Sequence, residues 1–495
     1  LGRRALVLVP EISLTPQMIR RLKSTFGSRL AVQHSALNNT ERLLQWRMIQ
    51  QGNADIVVGT RSAVFAPLQN LGLIIMDEEQ EHTYQSESAP RFDAHDVAKK
   101  RAVMENALLL FASATPQTET YYAAKSGRLQ LVELRHRYGG RPLPHVDFID
   151  MRAELAAGNP REVSVRLARE LQENLDNGEQ SILLLNRRGY RTIGMCTVCG
   201  HVLKCPNCSV PLVYHKPQQA LLCHHCGHTV HPLPQTCPEC GGKISYSGFG
   251  TQRVEEEMHR LFPQVKTVRM DIDTTRGRDA HARLLDEFGK GRAQVLIGTQ
   301  MIAKGLDFPK VTLVGVVAAD MTLNLPDYRS AERTFQLITQ VAGRAGRAQE
   351  PGEVIVQSYK PDDPCIQAAA KQDYRAFFEM EFSRRRAGLY PPFTMLCRLL
   401  VESPDEAEAK DTSQRLYEAL QAYLSSHPAQ RKKTLMIRAD EAPVKRIRGQ
   451  YRYHVLLKLF DQPETAPLLR LMSELTATGT ERCHIYVEVN PATMM

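Results

Sequence analysis

The sequence has no run approaching the roughly eighteen consecutive apolar residues that a membrane helix needs. Its most apolar stretches, such as "LVGVVAA" (313 to 319), are of strand length. A soluble chain without a membrane partner is therefore expected. Also missing from all 495 residues is G-x-x-x-x-G-K-[ST], the glycine-rich loop that cradles phosphates at a helix N-terminus. There is no initiator Met. The chain opens with Leu1 inside a strand-like stretch, so a fragment whose true N-terminus lies upstream is expected. Cysteine is scarce outside one segment, since eight of the 11 fall between 196 and 240. Acid falls slightly short of base: a formal charge of +9 favours an anionic partner, nucleic acid ahead of an anionic membrane surface.

The length exceeds what one hydrophobic core supports, so several domains are expected. A self-comparison shows how two of them are built. "GNADIVVGTR" (52 to 61) recurs as "GRAQVLIGTQ" (291 to 300), and each copy is followed by a second apolar strand ending in Asp, at Asp77 and at Asp320. The strands are unalternating and rich in Val, Ile and Leu, separated by helical patterns such as "ERLLQWRMIQQ" and "AHARLLDEFGKG". That pattern predicts parallel sheets covered on both faces, hence two similar α/β lobes. Thr60, Asp77, Thr299 and Asp320 fall at carboxyl ends of strands, where open parallel sheets bind ligands.

In the first lobe "NLGLIIM" runs straight into Asp77, Glu78 and Glu79. An apolar strand ending in Asp-Glu suits a nucleoside triphosphatase, one carboxylate holding magnesium and the second polarising the attacking water. The phosphate loop that should accompany it is expected upstream of Leu1. Seven segments support that placement: "LVLVPEISLTPQ" (6 to 17), "VVGTRSAVF" (57 to 65), "DEEQ" (77 to 80), "LLLFASATP" (108 to 116), "LLLNRRGYR" (183 to 191), "LIGTQMIAKGLDFP" (296 to 309) and "ITQVAGRAGRA" (338 to 348). They occur in the order of the superfamily 2 helicase motifs. Arg344 and Arg347 lie three apart, on one helical face, and suit neutralisation of charge on a transferring phosphoryl group. The small hydroxyls of "SAT" (113 to 115) suit coupling between lobes, and the Gly-Thr turns at Thr60 and Thr299 offer hydroxyls and N–H groups to a sugar-phosphate backbone.

The eight clustered cysteines form four Cys-x-x-Cys pairs: Cys196 with Cys199, Cys205 with Cys208, Cys223 with Cys226, and Cys237 with Cys240. Two such knuckles complete one tetrahedral S4 shell, so two structural zinc ions are expected. Spacing permits sequential or nested pairing. The five residues between Cys199 and Cys205 would cramp adjacent knuckles, which favours nesting: Cys196, Cys199, Cys237 and Cys240 outside, and Cys205, Cys208, Cys223 and Cys226 within.

A superfamily 2 motor with an eight-cysteine insertion directly after "NRRGY" resembles the primosomal protein N′ (PriA) family, the replication-restart DNA helicases. The resemblance also covers "GFGTQRVEEEMHRLFP" (248 to 263), "DYRSAERTFQLITQVAGRAGR" (327 to 347) and "RRRAGLYPPF" (384 to 393). It implies two RecA-like lobes with parallel sheets, the first incomplete, a zinc-binding insertion in the second, and an α+β C-terminal domain. The expected boundaries are 1–145 for lobe 1, 146–192 and 247–365 for lobe 2, 193–246 for the insertion and 366–495 for the C-terminal domain. The implied activity is ATP-driven 3′ to 5′ unwinding with Mg2+ and ATP at stalled forks. The implied setting is a cytoplasmic monomer acting on forked and single-stranded DNA, with primosome proteins and single-stranded DNA-binding protein as partners.

Carried over by residue, the resemblance makes Asp77, Glu78, Gln340, Arg344 and Arg347 catalytic, and adds Glu79, Gln80, Gly305 and Asp307 to nucleotide binding. It matches residues 81 to 98 to an aromatic-rich loop coupling DNA contact to hydrolysis, with Tyr84, Arg91 and Phe92 on the nucleic acid, and Arg61 of the "GTR" turn is expected on the nucleic acid beside Thr60. Two departures stand out: Gln80 where relatives usually have His, and Asp93 and His95 where they usually have His and Arg. Altered coupling is expected from the first. In the tail, "APVKRIRGQYRYHVLLKL" (442 to 459) interleaves basic and aromatic residues, so Arg448 and Tyr453 are expected on single-stranded nucleic acid. The competing reading is a zinc-dependent DNA-binding scaffold without ATPase activity.

Overall fold

A computed structural model describes residues 2–10, 16–35, 37–86, 91–134, 144–159, 161–185, 194–196, 201, 203–206, 212–215, 219–223, 228–246, 251–271, 274–275, 280–299, 302, 308–317, 319–324, 327–343 and 352–493. The chain divides into two compact units. One comprises residues 1–186, 254–322 and 332–378, and the other 187–253, 323–331 and 379–495.

The first unit begins with a parallel sheet of β1 (Arg4–Leu8), β2 (Leu30–Gln33), β3 (Ile56–Gly59), β4 (Leu71–Asp77) and β5 (Leu108–Ala112), in the order β2-β3-β1-β4-β5. Leu6, Leu8, Val57, Ile74 and Met76 are buried, which is why these strands read as apolar runs rather than alternating ones. Sequence also fixes where the covering helices start. Asn38 and Glu41 form a capping box at helix Asn39–Gln50, and the Asp93 side chain accepts from His95 N at helix Ala94–Glu105.

The second sheet opens with β6 (His145–Asp150) and β7 (Gln180–Leu185). The chain then leaves it for five short strands, β8 (Met195–Cys196), β9 (Val213–His215), β10 (Ala220–Leu222), β11 (Thr229–Val230) and β12 (Ile244–Ser245). It returns with β13 (Thr267–Met270), β14 (Val295–Gly298), β15 (Val311–Val317) and β16 (Glu353–Ser358), giving the parallel order β13-β14-β7-β15-β16-β6. Around β7 the order repeats that around β1, with β6 added at the far edge.

The internal repeat maps onto β3 and β14, and its glycines have a steric cause. A Cβ on Gly59 would lie 2.5 Å from Gln33 O, and one on Gly298 would lie 2.7 Å from Met270 O. In both copies the next residue closes the same turn, Thr60 N donating to Gln33 O (3.0 Å) and Thr299 N to Met270 O (3.4 Å).

The second unit carries an antiparallel sheet of β17 (Met395–Ser403), β18 (Thr434–Ile447), β19 (Gln450–Leu459) and β20 (His484–Val489), in the order β18-β19-β17-β20. One face buries Leu399, Val401, Tyr453, Val455 and Leu457 together with Leu416 and Leu420 of helix Glu406–Ser426. Full burial of each such side chain contributes about 1.5–3 kcal/mol. Two parallel α/β lobes, a cysteine-rich excursion from the second and an α+β C-terminal part agree with the fold class read from the sequence.

Candidate functional site

The acidic turn sits where β4 leaves the sheet. Glu78 occupies the left-handed region, with φ of 48°, a conformation that costs a non-glycine residue roughly 1 kcal/mol or more. The turn is held by Glu79 N donating to Ala112 O (3.1 Å) and Glu81 N to Glu78 O (2.9 Å). Burial, and then the charge of Glu78, push the Asp77 carboxyl above its ordinary pKa, against the Glu78 N–H that donates to Asp77 Oδ1 at 3.1 Å. Adjacent, partly desolvated oxygen donors of this kind fit a hard divalent cation, which would relieve their mutual repulsion.

Glu78 is also where the two lobes of the first unit meet. Its Oε2 accepts from Gln80 Nε2 (2.5 Å) and from Gln340 Nε2 (3.4 Å), the latter on helix Ser330–Ala342. The other end of the Gln80 amide accepts from Ser113 Oγ (2.5 Å), and Ser113 Oγ accepts from Thr115 N (2.9 Å). An amide both donates and accepts, so Gln80 bridges the Glu78 carboxylate and the "SAT" segment.

A second network runs through Glu79, which is fully buried. Its carboxylate accepts from Gln117 N (2.7 Å) and Thr120 Oγ1 (3.1 Å), anchoring the start of helix Thr118–Lys125. His95 Nε2 lies 2.8 Å from Glu79 O and 3.5 Å from Glu79 Oε2, and its Nδ1 lies 2.7 Å from Asp93 Oδ1. Burial opposes protonation of this ring, but the hydrogen bonds and charges of Asp93 and Glu79 outweigh it and raise its pKa to about 10. The imidazolium thus ties the aromatic-rich loop to the acidic turn. On the same helix Thr118 N and Oγ1 both donate to Glu332 Oε1, at 2.7 and 2.9 Å, and Tyr374 Oη donates to Pro116 O at 2.8 Å. The sequence reading missed Thr118, Glu332 and the His95 link. The Asp93-x-His95 spacing was its one visible trace.

Several expected nucleic-acid contacts are corrected. Tyr84 is buried, its hydroxyl donating to Leu8 O (2.9 Å) and Asp77 O (2.7 Å), so it braces the site and offers no stacking face. Tyr453 is buried in the C-terminal core, because the period-2 alternation of β19 turns its ring toward helix Glu406–Ser426. Thr60 is buried and, as at Thr299, its N–H is used within the fold, leaving the half-buried Thr299 hydroxyl as the group on offer. Arg61 donates to Thr83 O (3.1 Å) and Gln85 O (2.7 Å) and lies 5.8 Å from the centre of the Phe92 ring, so it supports the loop. Phe92 is half-buried, edge-on to Phe65 at 4.9 Å. Arg91 is half-buried and Arg448 exposed. Asp320 accepts from Ser358 Oγ and Tyr359 N, both at 3.0 Å, which makes it a structural carboxylate unlike its counterpart Asp77. Arg344, Arg347, Gly305 and Asp307 lie outside the described residues.

In the cysteine-rich segment, Cys205, Cys223 and Cys237 are buried and Cys240 is exposed. Cys196 lies on β8, paired opposite Ile244 of β12, which brings together the two ends of the segment. Cys199, Cys208 and Cys226 lie outside the described residues. Glu239 N donates to Cys237 Sγ at 3.4 Å, an arrangement that suits a thiolate and hence a metal-bound sulfur. The small core beside it, built on Leu203, Leu212, Leu221 and Ile244, is too slight to stabilise such a module alone.

Two parallel lobes of matching strand order, with an Asp-Glu turn on one and a glutamine from the other upon it, define the two-lobed helicase fold. Residues 1–123 match the DEAD/DEAH box helicase family, 205–230 the PriA DNA helicase Cys-rich region domain, 238–349 the helicase conserved C-terminal domain, and 386–492 the primosomal protein N C-terminal domain. The chain belongs to the replication restart protein PriA family. It is 45% identical to the Bacillus subtilis replication restart protein PriA over 497 residues, covering 100% of this chain and 61% of that protein. The Treponema pallidum counterpart is 37% identical over 498 residues, covering 100% of this chain and 73% of that protein. The chain thus spans 61% of the length of the Bacillus relative and 55% of the Synechocystis one. Among solved structures, RecG bound to a three-way DNA junction overlaps 78% of this chain and 44% of its own, at a TM-score of 0.40 and 14% identity. No helix among the described residues is long and apolar enough to cross a membrane.

Proposed function

We propose that this chain is the greater part of an ATP-driven 3′ to 5′ DNA helicase that remodels stalled replication forks and initiates primosome assembly. The observation that carries this reading is the hydrogen bond between Gln340 and Glu78, with Gln80 and Ser113 behind it, because hydrolysis moves DNA only if the catalytic turn senses the facing lobe. In this reading Asp77 holds Mg2+ and Glu78 orients the attacking water. Bound Mg2+ supplies charge shielding for the phosphates of ATP. Glu79, Gln80, Gly305 and Asp307 shape the nucleotide site, while Arg344 and Arg347 neutralise developing phosphoryl charge. Arg91, Phe92, Thr299 and Arg448 contact DNA, and Arg61 supports the loop.

Two zinc ions, bound in nested fashion by Cys196, Cys199, Cys237 and Cys240 and by Cys205, Cys208, Cys223 and Cys226, stabilise the insertion. The protein works as a cytoplasmic monomer on forked and single-stranded DNA, with primosome proteins and single-stranded DNA-binding protein as partners. The 495 residues contain no G-x-x-x-x-G-K-[ST], so they hydrolyse no ATP by themselves. That same lack favours the second reading, a zinc-dependent DNA-binding scaffold. DNA-stimulated ATP hydrolysis by the gene's full-length product decides. Turnover abolished by Glu78→Gln and by Arg347→Ala supports the motor, whereas a full-length product that binds DNA without any hydrolysis supports the scaffold.

A further inference from the structure

The C-terminal sheet has two unlike faces. Because Tyr453, Val455, Leu457 and Leu459 of β19 enter the core, Arg452, His454, Leu456 and Lys458 share the opposite face. Against that face lies a cavity of about 810 Å³, bounded on its far side by Tyr328 and Tyr390, whose rings stack at 4.8 Å and 7°. Gly388 permits this arrangement, since a Cβ there would stand 2.8 Å from the Tyr390 ring.

Most of the cations on this face are already neutralised. Arg452 pairs with Glu402 (3.1 Å), Arg398 with Glu488 (2.5 Å), and Arg438 with Asp440. Lys458 differs. Its Nζ donates to Gly388 O (2.6 Å) and lies 3.9 Å from the centre of the Tyr390 ring, and among the described residues no carboxylate forms an ion pair with it. Burial accordingly lowers its pKa. His454 lines the same cavity and is 3% exposed, yet its Nδ1 has no hydrogen-bond partner among the described residues. Leu396, Met436 and Leu456 provide an apolar floor.

A half-buried ammonium without a carboxylate asks for an anion, and a buried ring nitrogen without a partner asks for a polar edge. The apolar floor asks for a flat, poorly solvated body, and the volume lies within the usual range for small-ligand pockets. A nucleoside phosphate meets all three demands at once. We propose that this cavity receives one nucleotide of a single DNA strand, its phosphate at Lys458 and its base on the apolar floor with one edge against His454 Nδ1. The site rests on the DNA-binding reading given above and adds a holding point for the strand on the C-terminal sheet.

The test is a fluorescence-anisotropy titration of labelled oligothymidylate with the 495-residue chain, its Lys458→Gln variant and its Lys458→Arg variant, at several salt concentrations. Lys458→Gln is expected to weaken binding about tenfold and to flatten the salt dependence by about 0.7, the slope of one phosphate contact on a single strand, with Lys458→Arg restoring both. A second measurement does not depend on the variants folding. An oligonucleotide carrying 5-iodouracil is cross-linked to the wild-type chain and the modified peptides are mapped, and peptides bearing Tyr328, Tyr390 or Met436 are expected. Cross-links confined to the motor lobes, or binding that Lys458→Gln leaves unchanged, would overturn the assignment while leaving the DNA-binding reading intact. Absence of wild-type binding would overturn both. Competition by thymidine monophosphate at concentrations matching the oligonucleotide would assign the cavity to a free nucleotide instead.

Discussion

Gln340 Nε2 stands 3.4 Å from Glu78 Oε2, so a helix of the second lobe donates directly to the acidic turn of the first. If Glu78 orients the attacking water, as proposed, an interaction made by its carboxylate matters to turnover more than to substrate capture. Gln340→Leu in the gene's full-length product is therefore expected to lower kcat for DNA-stimulated ATP hydrolysis tenfold or more, about 1.4 kcal/mol, with KM little changed. Steady-state kinetics check this. A variant with wild-type kcat would remove Gln340 from the mechanism.

His95 lies between two carboxylates, the half-buried Asp93 and the fully buried Glu79. Removing the cation leaves Glu79 buried with one fewer partner, so His95→Ala is expected to cost about 3 kcal/mol in urea unfolding of the 495-residue chain. A loss under about 1 kcal/mol would mean that the pairing contributes only what a surface ion pair does.

The parallel lobes were legible because β3 and β14 carry both the repeat and the unalternating composition that double-sided burial imposes. The acidic turn was legible for the same reason, since β4 must end where its apolar run meets Asp77. Tyr84 was not. Nothing local in "EHTYQ" says that a short turn at His82–Tyr84 folds the ring back over the carbonyls of Leu8 and Asp77, a contact made with a strand 76 residues away in sequence. Tyr453, by contrast, was readable: "YRYHVLLKL" alternates, and following the alternation sends Tyr453 inward with Val455 and Leu457, leaving Arg452, His454 and Lys458 outward. Thr118 and Glu332 are 214 residues apart, and no one-dimensional pattern joins them.

His454 gives the C-terminal sheet a signature in acid. Burial, and then the charge of Arg398, lower its pKa to about 4 from an ordinary 6.5. The folded state therefore binds this proton less readily than the unfolded chain does. Its contribution is fully present above pH 6.5 and is lost as pH falls from there toward 4, by up to roughly 3 kcal/mol. Urea unfolding followed across that range should show the decline in the wild type and a shallower one in His454→Leu. Parallel curves would place the acid sensitivity elsewhere.

The repeat glycines make a matched pair of predictions. Any Cβ at Gly59 or Gly298 meets a backbone carbonyl of the neighbouring strand, at 2.5 and 2.7 Å, and backbone held in a strand ladder cannot swing aside as a flexible side chain can. Gly59→Ala and Gly298→Ala are each expected to destabilise by about 1–3 kcal/mol, whereas Gly127→Ala, strained only by its φ of 76° with no heavy atom within 4 Å, should cost less. Thermal unfolding of the three variants checks the ranking, and a Gly127→Ala penalty equal to the others would attribute the cost to backbone strain rather than collision.

Metal removal tests the cysteine-rich segment. Its two ends meet through the pairing of Cys196 with Ile244, and the Glu239 amide already donates to Cys237 sulfur. Structural S4 zinc contributes roughly 10–16 kcal/mol in small modules, far more than the core around Leu221 can supply. Protein purified without chelator should hold two zinc ions per chain by metal analysis, the number that eight thiolates in S4 shells dictate. Cys205→Ser should leave one, unfold the inner strands β9 and β10, and spare the parallel lobes, so that far-ultraviolet circular dichroism falls only slightly while the segment becomes open to proteolysis. Retention of both zinc ions in Cys205→Ser would rule out Cys205 as a ligand, and a single ion in the wild type would end the two-shell arrangement.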